Sequence, residues 1–233
     1  MCGRYSIAIE PAEIEARFGA KYLEAMKPRY NAAPSQPLPV ILNSDPRHVV
    51  FAAWGIRPVW MSRVAKKDGL INVRFETLRD KATFRADLEG RRCLVPADGF
   101  YEWKTGAGKK KIPYRITRRD SKPFAFAGIW QEDSNGGALP RFAIITTAAD
   151  KFMQPIHARM PVILDADEER AWIRRDDGDL SDFLRRLETP YGAPLRAYEV
   201  SREVNRATED TRNLIKPVAR GESDAPLFKT VGK

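Results

Sequence analysis

The sequence predicts an α+β fold: a single domain over residues 1–233, with a mostly antiparallel, barrel-like β core flanked by helices. Hydrophobic residues make up 43% of the chain, which is enough for one large core. Most of the middle of the chain consists of short strand candidates, separated by turn signals such as TGAGKKK, RRDSKP and DSNGGALP. Strands and helices neither alternate regularly nor separate into two halves, which favours α+β over a parallel α/β fold.

The individual elements follow from local patterns. PAEIEARFGAKYL predicts a helix, because Pro11 suits a first turn and Gly19 suits the end. Two further helices are predicted at DEERAWIRR and at LSDFLRRLE, the second with Asp179 or Ser181 as its N-cap. The strand candidates are YNAAPSQPLPVIL, HVVFAAW, CLVPADGFYEWK, KIPYRIT, PFAFAGIWQ, RFAIITTAA, MPVILD and LRAYEVS.

Composition narrows the class of protein. The net charge is +9 and the pI is near 9.6, which favours a polyanionic partner such as nucleic acid, although many basic proteins bind none. No apolar run reaches the roughly 18 residues of a membrane span, and the N-terminus does not read as a signal peptide. Two cysteines and two histidines predict neither a disulfide framework nor a metal site. We therefore expect a reduced, cytoplasmic protein without cofactor or metal.

The first five residues, MCGRY, place Cys2 directly behind Met1. Removal of Met1 is favoured when the second residue is small, so the mature chain is expected to begin at Cys2. That residue would then carry an α-amine and a thiol on adjacent carbons, with reference pKa values of roughly 8 and 8.5. Both groups are partly nucleophilic near neutral pH. The alternative is that a cysteine follows Met1 by chance.

Three internal stretches combine polar residues with strand or strand-end settings: NVRFET, VPADGFYEWK and IHARMPVIL. Glu102 lies between Tyr101 and Trp103, and a desolvated position would raise its pKa and suit proton transfer. Because side chains alternate along a strand, Glu102 is alternatively an ordinary solvent-facing glutamate. His157 is a candidate acid–base group, with a purely structural role as the alternative.

Other side chains are candidates for binding. Arg74 and Arg159 could contact phosphates, and each could instead pair with an acid inside the protein. Trp103 is a candidate for stacking on a base, a contact worth roughly 1–3 kcal/mol, with packing in the core as the alternative.

Together with the N-terminal cysteine, these stretches resemble the SRAP family (SOS-response-associated peptidases, also called abasic-site processing proteins). The resemblance runs from Cys2 to about Leu164, with a weaker match at VSREVN. It rests on seven blocks in this order: MCGRY, YNAAPSQ, NVRFET, CLVPADGFYEWK, FAFAGIW, IITTAA and IHARMPVIL.

The resemblance implies roles for individual residues. Cys2 is the covalent nucleophile once Met1 is removed, and Asn72 lies beside it and positions the reacting sugar. Glu102 and His157 do acid–base work. The implied contacts to DNA phosphates are Arg4, Arg74 and Arg159.

The family also implies a partner and a reaction. The expected partner is single-stranded DNA containing an abasic site, bound in a basic groove. The sequence gives no oligomeric state, and we expect a monomer by default, associated with the nucleoid while on DNA. The α-amine of Cys2 would form a Schiff base with the open-chain aldehyde of the abasic sugar. The adjacent thiol would then close a stable thiazolidine ring, which crosslinks protein and DNA and shields the lesion.

Two other readings of the sequence remain open at this level. An N-terminal-nucleophile amidotransferase can also begin Met-Cys-Gly, and its cysteine would attack a glutamine amide. A non-catalytic module for single-stranded DNA would leave Cys2 without a role. The family name also implies a peptidase activity, which we expect to be limited to freeing the protein's own N-terminus.

Overall fold

The computed structural model describes residues 2–58, 69–80, 82–133, 136–174, 184 and 194–218. The predicted helix at LSDFLRRLE lies outside this part of the chain, apart from Leu184. Within the described ranges, no helix is long and apolar enough to cross a membrane.

Strands dominate the described residues, and four α-helices accompany them. The helices are α1 (Pro11–Phe18), α2 (Phe75–Asp80), α3 (Ala82–Gly90) and α4 (Ala166–Ile173). The strands are β1 (Tyr5–Ile7), β2 (Lys21–Tyr22), β3 (Arg29–Ala32), β4 (Pro37–Leu42), β5 (Asp45–Trp54), β6 (Asn72–Arg74), β7 (Arg92–Ala97), β8 (Gly99–Thr105), β9 (Lys111–Arg118), β10 (Phe124–Gln131), β11 (Arg141–Ala148), β12 (Arg159–Pro161), β13 (Ile163–Leu164) and β14 (Leu195–Glu199).

The strands form two sheets. The smaller one has the order β14-β9-β8-β1-β3, and the larger one runs β12-β11-β10-β7-β4-β5-β2. Strand β11 also pairs with β5, which closes five strands of the larger sheet into a ring. Most neighbouring strands are antiparallel, and β2, β5, β6 and β11 make the parallel pairs. The predicted α+β class and its mostly antiparallel β core are confirmed. The barrel-like closure that the sequence predicts takes the form of this five-stranded ring.

An aromatic cluster holds the two sheets together. Tyr5 of β1 makes edge contacts with Trp54 and Phe126, at ring-centroid distances of 5.1 and 5.8 Å. Trp54 stacks on Phe142 at 6.1 Å and donates from its indole nitrogen to the Ile71 carbonyl. All four rings are buried or nearly so. Because β1 leads directly from the N-terminus, this packing fixes where the chain begins relative to the ring.

The helices confirm two predictions and add two elements. Helix α1 has proline in its first turn and ends at Gly19, whose φ of 68° is left-handed, as expected for a C-cap. Helix α4 begins with a capping box at Asp165. Helices α2 and α3 were not predicted, although buried Phe84 and Leu88 of α3 stand at helical spacing.

Candidate active site

The N-terminal arm lies between the two sheets. The Arg4 carbonyl accepts the N–H of Tyr101 at 2.9 Å, which continues the pairing of β1 with β8 toward Cys2. From the other side, the Asn72 side chain donates from Nδ2 to the Cys2 carbonyl at 2.8 Å. Asn72 is held there because β6 pairs in parallel with β11, opposite Ile144. The structure thus brings Cys2 and Asn72 into contact.

The side chain of Asn72 has a hydrogen-bond acceptor without a donor next to Cys2. Its Oδ1 atom is buried and accepts no hydrogen bond from the described residues. A buried amide oxygen without a donor is costly. An amine or hydroxyl brought to Cys2 would satisfy it.

Glu102 is buried on β8 and is only 2% exposed. The alternative of a solvent-facing carboxylate is therefore wrong. Burial raises the pKa of the Glu102 carboxyl above its ordinary value, and the nearby charge of His157 offsets part of that effect. A larger fraction of this group is consequently protonated near neutral pH than for an exposed glutamate. It is suited to donate a proton as a general acid.

His157 lies next to Glu102, with 3.9 Å between its Nδ1 and the Glu102 Oε1. The same Nδ1 is 3.0 Å from both the N–H and the carbonyl oxygen of Arg159. When neutral at Nδ1 the ring accepts from the N–H, and when protonated there it donates to the carbonyl. Both tautomers of the neutral ring therefore have a backbone partner at Nδ1.

The Cys2 thiol is shielded from solvent. Its Sγ is 3.8 Å from the Arg4 carbonyl oxygen, and the residue is fully buried. Burial raises the pKa of the Cys2 thiol well above its ordinary value, and the negative charge of Glu102 raises it further. The sulfur is thus a neutral thiol near pH 7. This differs from the usual cysteine nucleophile, whose pKa is depressed.

The two implied phosphate ligands on β6 and β12 differ in their surroundings. Arg74 ends β6 with an exposed side chain that makes no hydrogen bond or ion pair with the described residues. Arg159 begins β12, and its guanidinium forms a two-pronged ion pair with Glu76, with N–O distances of 2.6 and 3.0 Å. Its Nη2 also donates to the Thr146 carbonyl at 2.6 Å. Arg159 is therefore paired with an acid.

Arg4 and Trp103 lie against the C-terminal segment, which we define as Val200–Val218. The Arg4 guanidinium donates from Nη1 to the Val204 carbonyl at 2.8 Å and to Asn31 Oδ1 at 2.9 Å. The Trp103 indole donates to Asn205 at 2.7 Å, and its ring packs on a small apolar cluster that includes Val204. Both side chains are partly buried and donate hydrogen bonds to this segment.

Sequence reasoning missed Asn31, which ties the C-terminal segment to β3. Its buried Nδ2 donates to the carbonyls of Arg206 and Glu209 at 2.9 and 2.7 Å. Asp210 completes the contact by accepting the N–H groups of Tyr30 and Asn31. Asn31 stands in the block YNAAPSQ, and an amide between Tyr30 and Ala32 is the signal that could have found it.

No group of three or more histidine, cysteine or acidic side chains is arranged to hold a metal ion within the ranges that the structure describes. The residues brought together are Cys2, Asn72, Glu102 and His157. They offer a thiol, an amide, a carboxyl and an imidazole, which is a set suited to covalent and acid–base chemistry.

Comparisons with known proteins find relatives over most of the chain. Abasic site processing protein YoqW of Bacillus subtilis is 38% identical over 222 residues, covering 92% of this chain and 99% of that protein. Abasic site processing protein YedK of Escherichia coli is 31% identical over 193 residues, covering 82% and 85%.

Solved structures show the same fold. A protein from Bacteroides thetaiotaomicron superimposes with a TM-score of 0.78 at 24% identity, covering 94% of this chain and all of that one. A protein from Bordetella bronchiseptica gives 0.71 at 26% identity, covering 86% and 100%. The family model for SOS response associated peptidases (SRAP) matches residues 1–207. The chain therefore belongs to the SRAP family.

Proposed function

We propose that this protein processes abasic sites in single-stranded DNA by forming a thiazolidine crosslink through Cys2 once Met1 has been removed. The observation that carries the proposal is the meeting of Cys2, Asn72, Glu102 and His157 at the N-terminus of β1. Relatives named as abasic site processing proteins support the choice of substrate. The crosslink would shield the lesion during the response to DNA damage.

The first step is opening of the sugar. An abasic deoxyribose exists mainly as a cyclic hemiacetal, and only its open-chain aldehyde reacts with an amine. Glu102, whose pKa is raised by burial, donates a proton to the ring oxygen from its protonated form, while His157 accepts the proton of the 1′-hydroxyl. The ring C–O bond breaks and the aldehyde forms, with no net gain or loss of protons.

The α-amine is the first nucleophile and the thiol the second. The Cys2 amine adds to the aldehyde and expels water, which gives an imine. The buried thiol is held as S–H, so it does not compete for the aldehyde as a thiolate. It then adds across the C=N bond, sulfur to carbon and proton to nitrogen, and closes a five-membered ring. Because amine and thiol belong to one residue, this closure has a high effective concentration.

Binding relies on backbone charge. The net charge of +9 and the exposed Arg74 support contact with phosphates, which depends little on base sequence. Single-stranded DNA is favoured because Glu102 is buried, and a reacting sugar must leave any base stack to reach it.

The Cys2→Ala variant tests the division of labour between amine and thiol. After loss of Met1, alanine still offers an α-amine, so an imine with abasic DNA should form and then hydrolyse. Borohydride present during the reaction should reduce the imine and trap a permanent crosslink, whereas the wild type should crosslink without reductant. Cys93→Ala is the matched control, because Cys93 is the other buried cysteine and lies on β7.

Two results would contradict the scheme. A stable Cys2→Ala adduct without borohydride would show that the thiol does not close the ring. A folded, DNA-binding variant that borohydride cannot trap would show that the amine is not the primary nucleophile, and the amidotransferase-like use of sulfur would regain support.

A further inference from the structure

Glu76 makes a contact that the proposed chemistry does not use. Its carboxylate lies in the first turn of α2 and accepts two hydrogen bonds from the end of the Arg159 guanidinium. This forked geometry is the one by which arginine also binds phosphate. The Glu76 side chain is 52% exposed, whereas that of Arg159 is 15% exposed. The acid can therefore turn into solvent while the arginine cannot.

A second arginine lies near enough to the same carboxylate for its charge to act on it. Arg74 stands two residues before Glu76, at the end of β6, and its exposed guanidinium has no hydrogen-bond or ion-pair partner in the described chain. The hydrogen bonds from Arg159, and to a smaller degree the charges of Arg159 and Arg74, lower the pKa of the Glu76 carboxyl. The carboxylate is thus an ionised group beside two positive charges, in the position where a phosphate would be stabilised.

Arg159 does not depend on Glu76 for its orientation. Its Nη2 donates to the Thr146 carbonyl at 2.6 Å and lies 3.3 Å from the Thr146 hydroxyl. Thr146 belongs to β11, which pairs with both β6 and β12, so this support is part of the sheet. The Nε of Arg159 is buried and donates to none of the described residues. The guanidinium would therefore stay in place, with unused donor capacity, if the carboxylate left.

We propose that Glu76 occupies the position of a DNA phosphate on Arg159, and that DNA binding exchanges the carboxylate for a phosphodiester held between Arg159 and Arg74. The inference rests on the proposed function in that the phosphate belongs to the strand that carries the lesion. Glu76 thereby lowers the affinity for DNA, because its ion pair with Arg159 must break before a phosphate can bind there. Nothing is consumed in the exchange, since one anion replaces another.

The test is the binding of a fluorescent, intact oligothymidine to the full chain between 50 and 200 mM NaCl. Glu76→Gln should bind more tightly than wild type, because Arg159 is free before DNA arrives. Both proteins make the same phosphate contact once DNA is bound, so their slopes of log K against log salt should agree. The gain is the free energy that the variant no longer spends on breaking the ion pair, which for a pair with an exposed partner is about 1.4- to 5-fold in affinity. The double variant Glu76→Gln/Arg159→Ala should lose this gain.

A matched control separates this exchange from a general change in charge. Asp120 forms a similar forked ion pair with Arg118, with distances of 2.8 and 2.6 Å, at the end of β9. Asp120→Asn removes the same charge from an ion pair outside the site, so its affinity for the oligothymidine should stay at the wild-type value. An equal gain in Asp120→Asn would attribute the effect to net charge and overturn the proposal.

Other outcomes are equally decisive. If Glu76→Gln and Glu76→Ala both remain folded by circular dichroism but bind more weakly, or with a flatter salt slope, Glu76 merely holds Arg159 in place and the proposal is wrong. Crosslinking of abasic DNA by the wild type is measured in parallel. Its failure would overturn the proposed chemistry, whereas the change in affinity for intact DNA decides the role of Glu76 separately.

Discussion

Replacement of Glu102 by glutamine should slow adduct formation and stabilise the fold at the same time. Glutamine keeps the shape of the side chain in its buried position beside His157 but cannot donate the proton that opens the sugar. A general acid or base typically contributes about 10²–10⁴-fold to a rate, which is about 3–5 kcal/mol of activation free energy. Single-turnover crosslinking of abasic single-stranded DNA between pH 5 and 8 measures this loss, and intact DNA should bind as before.

The effect on stability follows from the burial of the carboxyl. Burial raises the pKa of Glu102 in the folded protein above its unfolded value. Between the unfolded and the folded pKa, the unfolded chain therefore binds fewer protons than the folded protein. As pH rises through this interval, the free energy of unfolding falls by about 1.36 kcal/mol for each unit between the two pKa values. Glutamine does not titrate. The variant should thus gain stability relative to the wild type as pH rises, as measured by urea unfolding at pH 5 and pH 8.

Glu169→Gln supplies the matched control. Glu169 of α4 is also buried, and burial raises its pKa to about 7 despite the ion pair with Arg17 at 2.8 Å. Its replacement should change the pH dependence of stability in the same direction, by up to about 3 kcal/mol, without changing the rate of adduct formation. If Glu102→Gln keeps the wild-type rate across the pH range, or loses stability equally at pH 5 and pH 8, the acid–base role of Glu102 is refuted.

Two further predictions concern the surroundings of the site. Arg74→Ala should weaken binding to intact single-stranded DNA whatever its sequence and flatten the slope of log K against log salt by about 0.7, and a wild-type slope would show that Arg74 contacts no phosphate. Asn31→Ala should lower the free energy of unfolding by about 2–4 kcal/mol, because the buried side-chain amide accepts a hydrogen bond from Arg4 and donates to several carbonyls of the C-terminal segment. Urea unfolding measures this loss, and an unchanged midpoint would show that the C-terminal segment is not held through Asn31.

Much of the site could be predicted because its chemistry depends on residue type and chain position. Cys2 is a candidate for covalent chemistry from its place behind Met1, and that inference needs no fold. The proximity of Asn72 and His157 to it could not be derived from local patterns. Asn72 reaches Cys2 because β6 pairs with β11. His157 directly precedes β12 of the larger sheet and lies next to Glu102, which belongs to β8 of the smaller sheet. Such pairings join residues far apart in sequence, so only the resemblance to a family anticipated them.

The strand GFYEWKT shows which features follow from the sequence and which depend on the tertiary structure. Alternation along a strand places Tyr101 and Trp103 on the face opposite Glu102, and this is true of β8. Alternation does not say what covers each face. The C-terminal segment, some hundred residues further along the chain, packs on Tyr101 and Trp103, while Glu102 is buried beside His157 on the other side.

The sequence by itself determined the α+β class, the mostly antiparallel strands, the stop of α1 at Gly19 and the set of candidate reactive residues, because each depends on local periodicity, backbone freedom or side-chain chemistry. Only the tertiary structure decided that Glu102 is buried, that the Cys2 thiol is neutral and that Arg159 is paired with Glu76. Burial and ion pairing depend on which distant segments meet. They in turn set the pKa values and the available charges on which the proposed chemistry depends.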